Sequence, residues 1–190
     1  METLTLHIDT VHLTDEQFEQ LCQNNQELRF ERTAKGDLLI MPPVGGESSH
    51  READFIADLV LWNRQTQLGY TFSSSTIFKL PNGAVRSPDV AWIEKQRWEA
   101  LTPEQKQKFP PMAPDFVMEL RSASDDLAML REKMAEYFYA GVKLAWLINP
   151  QQQQVEIYCW ETGVEVRDLP VELSGENVVP GFCLSLPLYP

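Results

Sequence analysis

The chain has 190 residues, with 16 Lys and Arg against 28 Asp and Glu, for a formal net charge of -12. That balance argues first against a protein that grips nucleic acid by bulk charge, because duplex binders normally carry a basic excess. The length fits one domain, residues 1–190, and 43% hydrophobic residues are enough for a sizeable core, which excludes a wholly disordered chain.

Thr14-Asp15-Glu16-Gln17 has the form of a capping box, and Phe18, Leu21 and Cys22 continue it at helical spacing. Leu28 to Arg32 and Asp37 to Met41 read as a hairpin closed through Gly36. Pro42-Pro43 and Gly45-Gly46 break structure. Ser48 or Ser49 then caps a long helix whose Phe55, Ile56, Leu59, Val60 and Asn63 share one face, with Glu52 near that inward face. Strands are expected at Tyr70 to Phe72, Thr76 to Leu80 and Pro88 to Ile93, and a polar, helical connection leads to an apolar strand at Asp115 to Leu120.

Ser124-Asp125-Asp126 caps a second amphipathic helix carrying Leu127, Leu130, Met134, Tyr137 and Phe138, and Gly141 ends it. Lys143 to Ile148, Val155 to Trp160 and Val164 to Leu169 are three further strands, spaced closely enough to be antiparallel neighbours. Together these elements predict a mixed α/β domain with a central sheet and extra antiparallel strands in its C-terminal part. The three cysteines, Cys22, Cys159 and Cys183, suit neither a disulfide framework nor a zinc knuckle and read as buried free thiols. With no secretory signal at Met1-Glu2-Thr3-Leu4 and no apolar run near the ~20 residues of a membrane span, the expected location is the cytoplasm.

Nucleophile and phosphate-loop signatures fail. There is no G-x-S-x-G elbow, Gly45-Gly46 is not followed by Gly-Lys-Ser/Thr, and His7, His12 and His50 lie beside no cysteine. What remains is acidic: Asp89 opens one apolar strand and Glu119 closes another, 30 residues later. Two carboxylates at strand ends suit a hard cation such as Mg²⁺, which keeps several waters. The same two residues also read as a strand-start turn and a solvated strand end.

Ser87-Pro88-Asp89-Val90-Ala91-Trp92, then Pro114 to Asp125, then Lys133-Met134-Ala135-Glu136-Tyr137, then Trp146-Leu147-Ile148-Asn149-Pro150 closely resemble the Uma-type endonuclease-like family of the PD-(D/E)XK superfamily. The resemblance runs from about Thr14 to Leu186, and the ordered set is more specific than any one motif. It implies a restriction-endonuclease-like fold, a central mixed sheet flanked by helices. It also implies a Mg²⁺-dependent endonuclease, with Mn²⁺ able to substitute, that hydrolyses nucleic acid, DNA first, and leaves a 5′-phosphate.

By the resemblance, Asp89 and Glu119 hold the metal, Leu120 adds its backbone carbonyl, and Lys133 is the superfamily lysine moved onto a helix. Arg121 stands where that lysine is usually found; it is a candidate phosphate clamp, though its permanent charge makes it a poor water activator. Helical geometry leaves Lys133 and Arg131 at opposite edges of the apolar stripe, either able to reach a cleft or to snorkel. Glu52, with Glu47 second, is the candidate acid from the first core helix, and both also read as helix-start acids. His50 and Arg86 are the candidate substrate contacts. Tyr137 and Trp146 suit core packing better than base stacking.

Two other readings stay open: the same fold kept as a non-catalytic interaction module, and a hydrolase of small phosphodiesters. Strands within Val155 to Leu169 offer a two-fold pairing edge, and a homodimer would ease cutting of both strands of a duplex. The site segment, residues 79–133, carries nine basic and nine acidic side chains, so the acidity lies outside it.

Overall fold

The computed structural model describes residues 3–8 and 11–189; residues 1, 2, 9, 10 and 190 of the expected 1–190 domain lie outside the described residues. In chain order, β1 (Leu4–Leu6), α1 (Asp15–Asn24), β2 (Arg29–Arg32) and β3 (Leu38–Met41) precede the long helix α2 (Gly46–Thr66). Then come β4 (Gly69–Ser73), β5 (Phe78–Lys79), β6 (Val85–Arg86) and β7 (Val90–Glu94). The polar connection forms two short helices, α3 (Lys95–Glu99) and α4 (Pro103–Gln107), before β8 (Phe116–Leu120) and α5 (Leu127–Tyr139). The chain closes with β9 (Leu144–Asn149), β10 (Gln154–Cys159), β11 (Gly163–Asp168), β12 (Val171–Ser174) and β13 (Cys183–Leu186). No helix among the described residues is long and apolar enough to cross a membrane.

The central sheet has six strands in the order β11-β10-β9-β8-β7-β4. Only β8 and β9 within it run parallel, joined by the α5 crossover, which makes the sheet mixed as expected. β8 is buried along its whole length, as a strand covered on both faces must be. Alternation then divides the core. Val90, Trp92, Phe116 and Met118 face α2 and the β12-β13 hairpin, whereas Ala91, Ile93 and Val117 face Met134 and Tyr137 of α5. A second sheet, β1-β3-β2-β6-β5, packs with Phe18 of α1 in a smaller cluster of its own.

Local chemistry fixes the helix starts. Thr14 and Gln17 complete both bonds of the expected capping box. Asp126, last of the three expected cap residues, accepts from the Ala128 and Met129 amides at 2.7 and 3.2 Å, a cap worth about 1 kcal/mol. Helix α2 starts earlier than its serines suggest: Gly45 is the cap residue, and its carbonyl accepts from Ser49. Glycine there needs no side-chain bond, so Ser48 and Ser49 fall inside the first turn. All three cysteines are free, but only Cys159 is buried, which corrects the expectation for Cys22 and Cys183.

Candidate active site

The spacing of Asp89 and Glu119 has a geometric meaning. β7 and β8 pair antiparallel with Val90 opposite Met118 and Ala91 opposite Val117, so one further step sets Asp89 opposite Glu119. Both residues share the parity of Ala91 and Val117 and therefore lie on the α5 side of the sheet. The Leu120 amide donates to Asp89 Oδ2 at 2.7 Å and ties the two strand ends together. Leu120, the expected carbonyl ligand, thus contributes its N–H to the other carboxylate.

Helix α5 delivers the cation. Lys133 and Tyr137 stand four residues apart on one helix face. The Lys133 ammonium lies 2.8 Å from Glu119 Oε1, and the Tyr137 hydroxyl donates to the same oxygen at 2.9 Å. Lys133 is 6% exposed, so it faces the sheet instead of snorkelling. Arg131 is the residue that turns outward, to Glu156 at 2.6 Å. Tyr137 is fully buried, as core packing requires, yet its hydroxyl belongs to the site.

Glu31 of β2 is the residue that sequence reasoning missed. It is 2% exposed; its Oε1 takes Lys133 Nζ and the Ser87 amide, each at 3.0 Å, and its Oε2 takes Arg86 at 3.0 Å. Glu136, also missed, pairs with the other side of the Arg86 guanidinium and accepts from the Ala34 amide at 2.8 Å. The second sheet is thereby fastened to α5 by ions. The only signal in the sequence is the charge alternation of Arg29-Phe30-Glu31-Arg32 next to a strand with no polar face, which is also how an exposed hairpin reads.

Burial and charge set the titration. Burial, reinforced by the neighbouring Glu119 charge, holds Asp89 well above the usual carboxylate range. Glu119 is raised by burial too, with the adjacent Lys133 only partly offsetting it. For Glu31, burial acts upward but is outweighed by Lys133, Arg86 and the Ser87 amide, and the carboxyl falls below its ordinary value. Burial pulls the Lys133 ammonium down, but Glu119, Glu31 and Asp89 together push it above its ordinary value and keep it charged.

These groups line a cleft of about 980 Å³ between the two sheets, with Glu52, Arg121 and Asp125 around it. Glu52 accepts from the Ser74 hydroxyl and faces the cleft. Glu47 pairs instead with Arg51 at 2.8 Å in solvent. Arg121 reaches the Asp125 carbonyl and Asn149 Oδ1, both at 3.3 Å, and braces the cleft rim. The two expected substrate contacts are placed differently, Arg86 in the cleft wall and His50 outside the cleft. Arg86 is 4% exposed with its guanidinium held between Glu31 and Glu136, because an unpaired buried cation would be too costly. His50 is an exposed residue beside Asp54 and does not line the cleft.

The donor set fits a hard divalent ion. Asp89 Oδ2 and Glu119 Oε1 are engaged, whereas Asp89 Oδ1 and Glu119 Oε2 have no hydrogen-bond partner among the described residues. No group of three or more His, Cys, Asp and Glu is placed to hold a metal there, among the described residues. Two free carboxylate oxygens with the remaining positions left to water suit Mg²⁺ better than a cation that demands a full protein cage.

Two facing strand-end carboxylates and a helix-borne lysine at the end of a mixed sheet define a protein of the restriction-endonuclease-like fold class. The chain belongs to the Uma2 family, described as "putative restriction endonuclease", whose profile matches residues 15–187. Among solved structures it is similar to a protein from Anabaena variabilis ATCC 29413 described as a "putative nuclease belonging to DUF820", with a TM-score of 0.70. The two share 18% identity over 84% of this chain and 88% of that one, a likeness that speaks for the fold. No curated protein matches.

Proposed function

We propose that the chain is a divalent-metal-dependent phosphodiesterase acting on nucleic acid, with DNA as the first substrate to test. The observation that carries this is the in-register pairing of Asp89 and Glu119 with Lys133 Nζ 2.8 Å from Glu119. Asp89 Oδ1 and Glu119 Oε2 would hold Mg²⁺, which when bound supplies charge to a phosphate oxygen and lowers the pKa of a bound water. Mn²⁺ is expected to substitute. The other steps fall to the protein. Lys133 presents a fixed positive charge where a phosphate gains negative charge, Tyr137 orients Glu119, and Glu31 holds Lys133 in place. Glu52 is suited to orient water at the cleft, and Arg121 to meet a flanking phosphate at the rim.

Three free cysteines agree with a reducing compartment, and we place the protein in the cytoplasm. One observation favours a smaller phosphodiester as the alternative substrate. Of the cleft's four Lys and Arg side chains, Arg86 and Lys133 are already ion-paired, and only Arg29 and Arg121, bonded to neutral oxygens, keep charge to offer, a short hold for a long duplex.

Supercoiled plasmid, single-stranded DNA and a chromogenic small phosphodiester, each with Mg²⁺, Mn²⁺ or chelator, provide the test. Nicking that needs metal and disappears in Asp89→Ala supports the nuclease. Cleavage of the small ester alone favours the alternative. No cleavage of any substrate, or nicking by Asp89→Ala equal to wild type, removes both.

A further inference from the structure

Strand β11 ends the six-stranded sheet and, among the described residues, pairs only with β10. Its six residues pair without interruption, from Gln154 with Asp168 to Cys159 with Gly163. The strand contains no proline, lysine or bulge, and of the devices that usually blunt a sheet edge it carries only the charges of Glu165, Arg167 and Asp168. Its free edge therefore presents regular backbone donors and acceptors.

The faces of β11 are equally unfinished. Val164 and Val166 lie opposite Tyr158 and Glu156, on the α5 side, and are 58% and 52% exposed. Helix α5 packs chiefly over β9 and β10. The apolar surface continues onto Trp160, 62% exposed, whose ring sits 5.3 Å from Phe138. On the other face Glu165 and Arg167, both solvent-accessible, bridge each other at 2.8 and 2.9 Å.

From these features we infer that β11 is the joint between two copies of this chain, related by a two-fold axis normal to the sheet. Such an axis makes the strands antiparallel and keeps each side chain on its own face, so directly opposed residues must share parity. The axis can therefore pass through a residue position but not between two. Centred on Glu165 it sets like charges face to face, which is unfavourable. Centred on Val166 it stacks valine on valine and places Glu165 opposite Arg167 of the second copy, twice by symmetry. The strand's charge pattern complements itself in that register, and the second copy covers the apolar strip.

Sedimentation velocity on the full chain tests this joint. The wild type sediments as a dimer at micromolar concentration. Glu165→Arg alone and Arg167→Glu alone each weaken it by at least about tenfold, since both opposed pairs become repulsive. An equimolar mixture of the two variants recovers the dimer, because the two arginines on the strand of one chain then face the two glutamates on the strand of the other. That recovery separates the joint from the Glu165 to Arg167 bridge within one chain, which stays broken in the mixture. Val166→Lys, at the axis, yields monomer. A wild type that is monomeric up to about 100 μM, a mixture that stays monomeric, or a Val166→Lys dimer would each overturn the inference.

Discussion

Replacing Lys133 with methionine keeps an unbranched chain of similar reach and removes only the charge. The ammonium lies 2.8 Å from Glu119 and 3.0 Å from Glu31. At an effective dielectric constant of about 20 each contact is about 6 kcal/mol of attraction before desolvation. Removing one partner of a buried pair costs about 3–5 kcal/mol once the lysine's own desolvation is credited. The cost should depend on pH, and its sign follows from the shifts. Lys133 is raised above its ordinary value, so its own contribution is fully present below about pH 10.5 and is lost only above that. Glu31 is lowered, so its contribution is present above its unfolded value near 4.5 and is lost as pH falls.

Without the ammonium, Glu31 keeps only Arg86 and the Ser87 amide to favour its charge, and Glu119 loses the cation that restrains its rise. Glu119 then ionises near 4.5 in the unfolded chain but resists ionising in the folded one, and the variant loses stability as pH rises above that value. Urea unfolding in chelator, followed by tryptophan fluorescence, should show a loss of about 3–5 kcal/mol at pH 7.5 that shrinks at pH 5. A loss below about 1 kcal/mol, or one equal at the two pH values, would refute the buried ion network.

Asp89→Asn should abolish metal-dependent cleavage and yet stabilise the metal-free protein by about 0.5–2 kcal/mol at neutral pH. The wild-type carboxyl is raised, so wild-type stability falls as pH rises from the unfolded value near 3.8 through the folded one, and the asparagine removes that fall. Thermal melts in chelator at pH 5 and 7.5 check it; a destabilised variant counts against the reading. Tyr137→Phe deletes one of two donors to Glu119 and should cost about 1.5–3 kcal/mol in urea unfolding, with cleavage down about tenfold. Glu31→Gln leaves Lys133 held by Glu119 and the Ser87 carbonyl, and calorimetry should find Mg²⁺ bound about 10–100-fold more weakly. An unchanged affinity would confine Glu31 to a structural role.

The acidic pair stood out through the chain-long resemblance, and strand ends alone left it open to a plainer reading. Asp89 and Glu119 each sit at the end of an apolar strand, and strand parity brings them to one face once β7 and β8 pair. Lys133 was harder. Helical spacing alone ranked it with Arg131, and what separates them is which side of α5 meets the odd-numbered face of β8. Tyr137 was half legible: the stripe marked it for the core, but a core position does not reveal where a hydroxyl ends. Glu31 and Glu136 were invisible because their partners lie 50 or more residues away, from Arg86 to Ala34, and no periodicity spans such distances. The two-residue strand β6, which carries Arg86 between them, is likewise too short to leave a pattern.

Glu31 lies 58 residues ahead of Asp89, on a hairpin that contains neither half of the acidic motif. A gene fragment beginning at α2 would still spell out Asp89, Glu119 and Lys133 in order and would pass any motif search. The polypeptide it encodes would bury Arg86 against one carboxylate in place of two and leave Lys133 with Glu119 alone as its carboxylate partner. A search that reads only the acidic motif and the lysine therefore overlooks the carboxylate that holds that lysine from a separate sheet.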